Sequence, residues 1–219
     1  EKYAEEICND QNFSDGLFQI LNSKKDKISG IINGIDENIW NPECDKFISK
    51  QYSLKNPESK VENKITLSDK FNLDYSEDIP LIGIISKLID SKGFDILTEA
   101  FEELMKMDIK LILLGSGDKK YHSFFEDAMY NYQDKFSCYL GNDEELAHLI
   151  AAGADIYLMP SLFEPCGLNQ MYSLIYGTVP VVRATGGLAD TVQDFNYEDH
   201  TGNGIVFSDY SSEALIEAV

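Results

Sequence analysis

From about residue 80 onward, short β-branched runs alternate with amphipathic stretches. Leu81-Ile82-Gly83-Ile84-Ile85 precedes a helical pattern near Gly93 to Met105; Ile109 to Leu114 precedes another near Lys119 to Tyr132. Phe136 to Leu140 predicts a third strand, and Asp143 opens a helix with Glu144 and Glu145 in its first turn, where carboxylates favour the helix dipole. Asp155 to Met159, a helix from about Asn169 to Tyr176, Val179 to Val182, Gly204 to Phe207 and a helix from near Ser211 complete the series. Strands too apolar to alternate, separated by helices, predict a parallel sheet covered on both faces. The expected fold is a doubly wound α/β domain.

The segment before residue 80 has another texture. Residues 49 to 79 are polar and rich in Lys, Asn and Ser, with a short helix predicted around Lys64 to Phe71. Asn33-Gly34-Ile35-Asp36 reads as a turn and Trp40-Asn41-Pro42 as a loop. Across all 219 residues the net charge is −20, a field that repels nucleic acid and anionic membranes. No apolar run reaches the roughly 18–20 residues needed to span a bilayer. Any phosphate-bearing ligand must therefore be held by local donors working against the global field. All but one of the 18 basic residues are lysines; the exception is Arg183. Cys8, Cys44, Cys138 and Cys166 form no C-x-x-C pair, so neither a zinc site nor a disulfide framework is expected, and a reducing cytoplasm suits them. His148 reads as a packed helix residue, and Cys166, with no histidine nearby, as a small packed residue whose backbone lies at the ligand.

In doubly wound sheets, ligands sit outside the carboxyl ends of the strands, where loops run into helix N-termini. The loop Pro160 to Gln170 carries the most chemistry. Pro165 forces Glu164 into an extended conformation, and Gly167 leaves backbone uncovered where a helix begins. A carboxylate beside free N–H groups suits a sugar diphosphate, hydroxyls on the one and phosphate oxygens on the others. By spacing alone, a plain strand-to-helix turn with Glu164 as a dipole partner fits equally well. Lys87 and Lys92, five apart in the loop after the first strand, are placed to clamp phosphate, although taken alone solvated surface lysines are the simpler account. Thr185-Gly186-Gly187 permits close approach of backbone to a ligand or another loop, or forms only a tight turn with Asp190 near a helix start. Gly115-Ser116-Gly117 is a G-x-G without the rest of the dinucleotide fingerprint.

Together these segments resemble the bacterial-type glycogen (starch) synthase family, glycosyltransferase family 5, which has the two-domain GT-B fold. Tyr3-Ala4-Glu5-Glu6-Ile7 is similar to the family's TYAEEI segment, and Gly30 to Asp36 with Trp40-Asn41-Pro42 to its GIxNGID…WNP junction. Ser86 to Gly93 resembles SRLxxQKG, Phe163 to Gln170 resembles FEPCGLTQ, and Tyr176 to Arg183 with Thr185 to Val192 resembles YGTxPVVRxTGGLxDTV. The match covers nearly the whole chain. It implies a GT-B C-terminal Rossmann-like domain at 80–219, C-terminally incomplete. Residues 1–42 would be the end of an N-terminal catalytic domain and the interdomain junction, and 43–79 a polar connecting segment. The family's N-terminal Lys-x-Gly-Gly-Leu loop is absent, so the chain is expected to be a fragment with little activity alone, its partner being the missing N-terminal domain.

The activity implied is retaining transfer of glucose from ADP-glucose to the end of an α-1,4-glucan, with no metal and no cofactor. By that resemblance Glu164 holds the glucose and stabilises charge at its anomeric carbon, while Lys92 and Lys87 neutralise the departing diphosphate. Cys166, Gly167, Leu168, Asn169 and Tyr172 contact the donor, Asn142 lies at the base, and Thr185, Gly186 and Gly187 shape the cleft. Three departures bear on this. Lys87 stands where the family has Arg, losing a bidentate fork; Asn142 stands where relatives often stack a Tyr on adenine; and Leu162 replaces a frequent Arg. Tyr172, eight residues after Glu164, occupies the place where many other GT-B retaining transferases carry a second Glu, which favours the glycogen synthase branch. The rival readings are a related GT-B transferase using another nucleotide sugar and a non-catalytic nucleotide- or glucan-binding paralogue.

Overall fold

The computed structural model describes residues 1–219. Three helices precede the sheet: α1 (Lys2–Asn9), α2 (Phe18–Ser23) and α3 (Lys60–Lys70). The alternating series follows as β1 (Leu81–Leu88), α4 (Phe94–Lys106), β2 (Lys110–Gly117), α5 (Lys119–Asn131), β3 (Phe136–Leu140) and α6 (Glu144–Gly153). It continues through β4 (Ile156–Met159), α7 (Asn169–Ile175), β5 (Val179–Arg183), α8 (Gly186–Thr191), β6 (Ile205–Phe207) and α9 (Ser212–Ala218). Every expected strand is present. No helix is long and apolar enough to cross a membrane.

The strands form one parallel sheet in the order β3-β2-β1-β4-β5-β6. Chain order therefore reverses between β1 and β4, and the crevice opening there at the carboxyl ends of the strands is where such sheets take ligands. Both faces are apolar for a plain geometric reason. Ile82, Ile84, Leu111 and Leu113 point toward Phe94, Leu97 and Phe101 of α4 and Phe125 of α5. Their neighbours Leu81, Ile112 and Leu114 point the other way, toward Leu67 of α3 and Leu146, Leu149 and Ile150 of α6. Each fully buried side chain of this size contributes roughly 1.5–3 kcal/mol, so a strand buried on both faces must read as an unbroken apolar run.

Within residues 43–79, α3 packs against α6 and brings Leu67, Phe71 and Leu73 into the second core. Ile48 and Tyr52 join Ala151, Ala152 and Tyr176 in a smaller one. The tie is polar as well. Asp45, buried, accepts hydrogen bonds from His148 Nδ1 at 2.7 Å and from the Tyr176 hydroxyl at 2.5 Å. Burial opposes its charge, but the bonds from His148, Tyr176 and the Phe47 N–H prevail and hold its carboxyl below the usual range. Trp40 is sandwiched between two rings, His148 at 3.7 Å and Tyr172 at 3.9 Å between centroids.

Two elements depart from expectation. Helix α8 begins at Gly186, ahead of the start near Asp190 that the tight-turn reading implied, so Asp190 lies inside it. Helix α1 was not expected; it packs on α2, close in sequence, and on α8, which is remote, and it buries Cys8.

Candidate functional site

The loop leaving β1 is bent so that Lys92 crosses the switch crevice. Ile89 is extended, Asp90–Lys92 form one 3-10 turn, and Gly93 at φ +79° starts α4 from the left-handed region. A Cβ at Gly93 would stand 2.1 Å from the Pro160 carbonyl oxygen, so only glycine lets the two loops close on each other. The Phe163 N–H donates to the Ser91 carbonyl at 3.2 Å across the same seam. Lys92 Nζ then reaches Glu164 Oε2 at 2.6 Å, with Ser161 Oγ at 3.5 Å from the same oxygen. Neither partner is free: the lysine side chain is 24% exposed and the glutamate 11%. Partial desolvation strengthens this pair beyond a surface ion pair and leaves it reachable from the crevice.

Arg183 explains why the chain keeps an arginine here. From the end of β5 its guanidinium donates to the Ser161 carbonyl at 2.8 Å, to Leu162 O at 2.5 Å and to Ser208 O at 3.4 Å, and it lies over the Tyr210 ring. A planar fork satisfies several carbonyls at once, which an ammonium on a flexible stem does not. Burial lowers the Arg183 pKa, opposed by the charge of Glu6. The same turn is held from below by Gln170, wholly buried, whose amide donates to Cys166 O at 3.0 Å, Gly167 O at 3.1 Å and Thr191 Oγ1 at 3.1 Å. With the carbonyls of Cys166 and Gly167 turned inward on Gln170, the peptide chain of the turn is fixed as it enters α7.

The expected residues divide into those gathered at the crevice and those outside it. Glu164 and Lys92 touch. Gly187 N–H donates to Glu164 O at 3.0 Å, which brings the Thr185-Gly186-Gly187 loop against the same turn. Cys166 and Gly187 share the wall of a cavity of about 260 Å³ with Tyr3, Ala4 and Pro165. Leu168 is exposed at the start of α7. Asn169 turns its side chain inward, donating to Ile85 O at 3.0 Å, and so locks α7 to the end of β1. Tyr172 has one face covered by Trp40. Lys87 is exposed on β1, in register with Ser116 of β2. Asn142, also exposed, follows edge strand β3, two strands from β1 and so roughly 10 Å across the sheet. Arg183, Ser161, Gln170 and Glu6 were not assigned roles from the sequence. The sole arginine was a signal for the first; the others act through contacts that no local pattern records.

A parallel sheet of this order, with its polar groups gathered at the switch crevice, defines a Rossmann-like α/β domain. Within that class the chain belongs to the glycosyl transferases group 1 family, whose model matches residues 67–219. Glycogen synthase of Bacillus cereus (strain Q1) is 45% identical over 99% of this chain, which covers 45% of that protein. Glycogen synthase of Thermosipho africanus is 47% identical over 99% of the chain, covering 44% of that relative. The catalytic domain of starch synthase IV from Arabidopsis thaliana, bound to ADP and acarbose, superposes with a TM-score of 0.91 at 34% identity, over 99% of this chain and 45% of that one. The chain thus spans a little under half the length of these relatives, and the Rossmann-like, GT-B-type fold expected from the resemblance is the one observed.

Proposed function

We propose that this chain is the donor-binding part of a cytoplasmic, ADP-glucose-dependent glucosyltransferase that extends an α-1,4-glucan with retention of configuration. The observation that carries the reading is the Lys92–Glu164 pair, 2.6 Å apart and partly desolvated, at the switch crevice. In this reading the donor's diphosphate draws the Lys92 ammonium toward itself and the Glu164 carboxylate is released to the sugar. As the bond between the anomeric carbon and the phosphate oxygen breaks, Glu164 stabilises the positive carbon and Lys92, with Lys87, the departing ADP. The acceptor hydroxyl forms its new bond on the same face and passes its proton to the leaving phosphate oxygen. Fixed charges supply the rate enhancement through positioning and electrostatic stabilisation, with no metal and no protein base. Cys166, Gly167, Leu168, Asn169 and Tyr172 contribute donor contacts, and Thr185, Gly186 and Gly187 back them. Residues 1–42 belong to an N-terminal domain and its junction, 43–79 connect, and 80–219 form the donor domain. Acceptor binding and turnover require the N-terminal half.

A second reading, transfer from another nucleotide sugar, is favoured by exposed Asn142, which offers no ring to stack on a base. Glucose incorporation into glycogen by the full-length protein, ADP-glucose beside UDP-glucose, separates the two. Strong incorporation from ADP-glucose is expected. Transfer from UDP-glucose alone would establish the second reading, and transfer from neither would leave a binding-only paralogue.

A further inference from the structure

Residues 1–13 reach the turn carrying Glu164 from two sides. On one side, Tyr3 and Phe13 close on the ring of Phe163, the residue before Glu164, at 5.3 and 5.5 Å between centroids. On the other, the Glu6 carboxylate straddles the start of α8. Both its oxygens lie 3.1 Å from Gly186 N and 3.3 Å from Thr185 Oγ1. Glu6 has no ion-pair partner; in a chain of net charge −20 it is held by a backbone N–H, a hydroxyl and the more distant field of Arg183. Charge-assisted bonds from N–H and O–H take the place of water around this carboxylate.

The loop that Glu6 holds is in backbone contact with the donor turn. Gly187 N–H donates to Glu164 O at 3.0 Å. A Cβ on Gly186 would lie 2.0 Å from Glu164 O, and one on Gly187 would lie 2.1 Å from Cys166 O, so the two loops have no slack between them. A shift of Gly186 must therefore be passed to Glu164. We infer that Glu6 is a positioning residue: by fixing Thr185 and Gly186 it sets the place of Glu164, and so couples the seating of the N-terminal segment to the catalytic geometry. This rests on the proposed function for its consequence in catalysis, but the coupling itself does not require it. Displacements of about 1 Å in a reacting group cost on the order of 100-fold in rate, so a second-hand contact is enough to matter.

The test compares Glu6→Ala and Glu6→Gln in the full-length protein. Glu6→Ala is expected to lower kcat for glucose transfer tenfold or more while the KM for the donor changes less than threefold. Glu6→Gln, which keeps one acceptor for the Gly186 N–H at the same volume, is expected to recover kcat to within threefold of wild type. A kcat for Glu6→Ala within twofold of wild type overturns the inference, as does a loss that follows the fraction unfolded equally in both variants. Hydrogen exchange of residues 161–168 without any donor reads the coupling separately. Exchange at least tenfold faster in Glu6→Ala supports it, and unchanged exchange overturns it. Wild-type protein that transfers no glucose while exchange responds to Glu6→Ala would overturn the proposed function and leave the coupling standing.

Discussion

At the scale of single residues, the site is a set of groups each held by something less visible than itself. Glu164 is oriented by Lys92 on its carboxylate and by Gly187 on its carbonyl. Glu164→Ala is expected to reduce transfer by at least 1,000-fold, on the order of other losses of transition-state electrostatics, while the thermal midpoint moves by less than about 5 °C. A rate assay beside a melting curve checks both; turnover near that of wild type would refute the assignment. Gly93 gives the opposite pattern. Because Gly93 has φ +79° and a Cβ would meet Pro160 O at 2.1 Å, Gly93→Ala is expected to destabilise the fold by about 2 kcal/mol or more. Denaturant titration measures that loss, and ADP affinity should fall with it, since the Lys92 loop can no longer close on the 160–170 turn.

Among elements, the strands were legible because burial on both sheet faces leaves an apolar run that no other structure requires. The start of α6 was legible too, since Asp143 caps it by accepting from Leu146 N–H at 2.9 Å. The start of α8 at Gly186 was not, because two glycines open it and the contacts that hold it come from Glu6 and Glu164, remote in sequence. For the same reason the sequence displayed Glu164, Lys92 and the glycines of the candidate site but hid the contacts of Glu6 and Gln170: the former lie in strand-to-helix loops, the latter work through folded contacts. Helix α3 supplies a further hidden device. Its Lys60 donates to the carbonyls of Ala152 and Ala154 at the end of α6, at 2.6 and 2.9 Å, and to Thr178 Oγ1 at 2.8 Å. Burial pushes the Lys60 amine down to about 7, opposed by the charge of Asp155. The folded pKa lies below the unfolded value, so between about pH 7 and pH 10 the unfolded chain holds the extra proton and stability rises with pH, by at most about 1.4 kcal/mol per unit. Lys60→Met removes that slope. Urea denaturation of both forms at pH 7, 8 and 9 is expected to show the wild type gaining on the variant at each step; a constant difference would contradict it.

For the molecule as a whole, charge and seating dominate. A net charge of −20 repels a nucleoside diphosphate at long range, while under the proposed function Lys92 and Lys87 attract it only near contact. The Debye length falls from about 30 Å at 0.01 M salt to about 8 Å at 0.15 M, so added salt screens the repulsion first. The association rate for ADP is therefore expected to rise at least twofold over that range, by stopped-flow with a fluorescent ADP analogue; a rate that falls would mean that the lysines set the approach. The stacked rings at residue 40 carry a separate consequence. The chain has one tryptophan, and its indole lies flat between His148, on a core helix, and Tyr172, eight residues beyond Glu164. The protein thus contains its own optical gauge. An opening of the seam between the first 42 residues and the sheet domain would move that indole from between two rings into water, so its emission is expected to shift to longer wavelength, without a label and without a substrate.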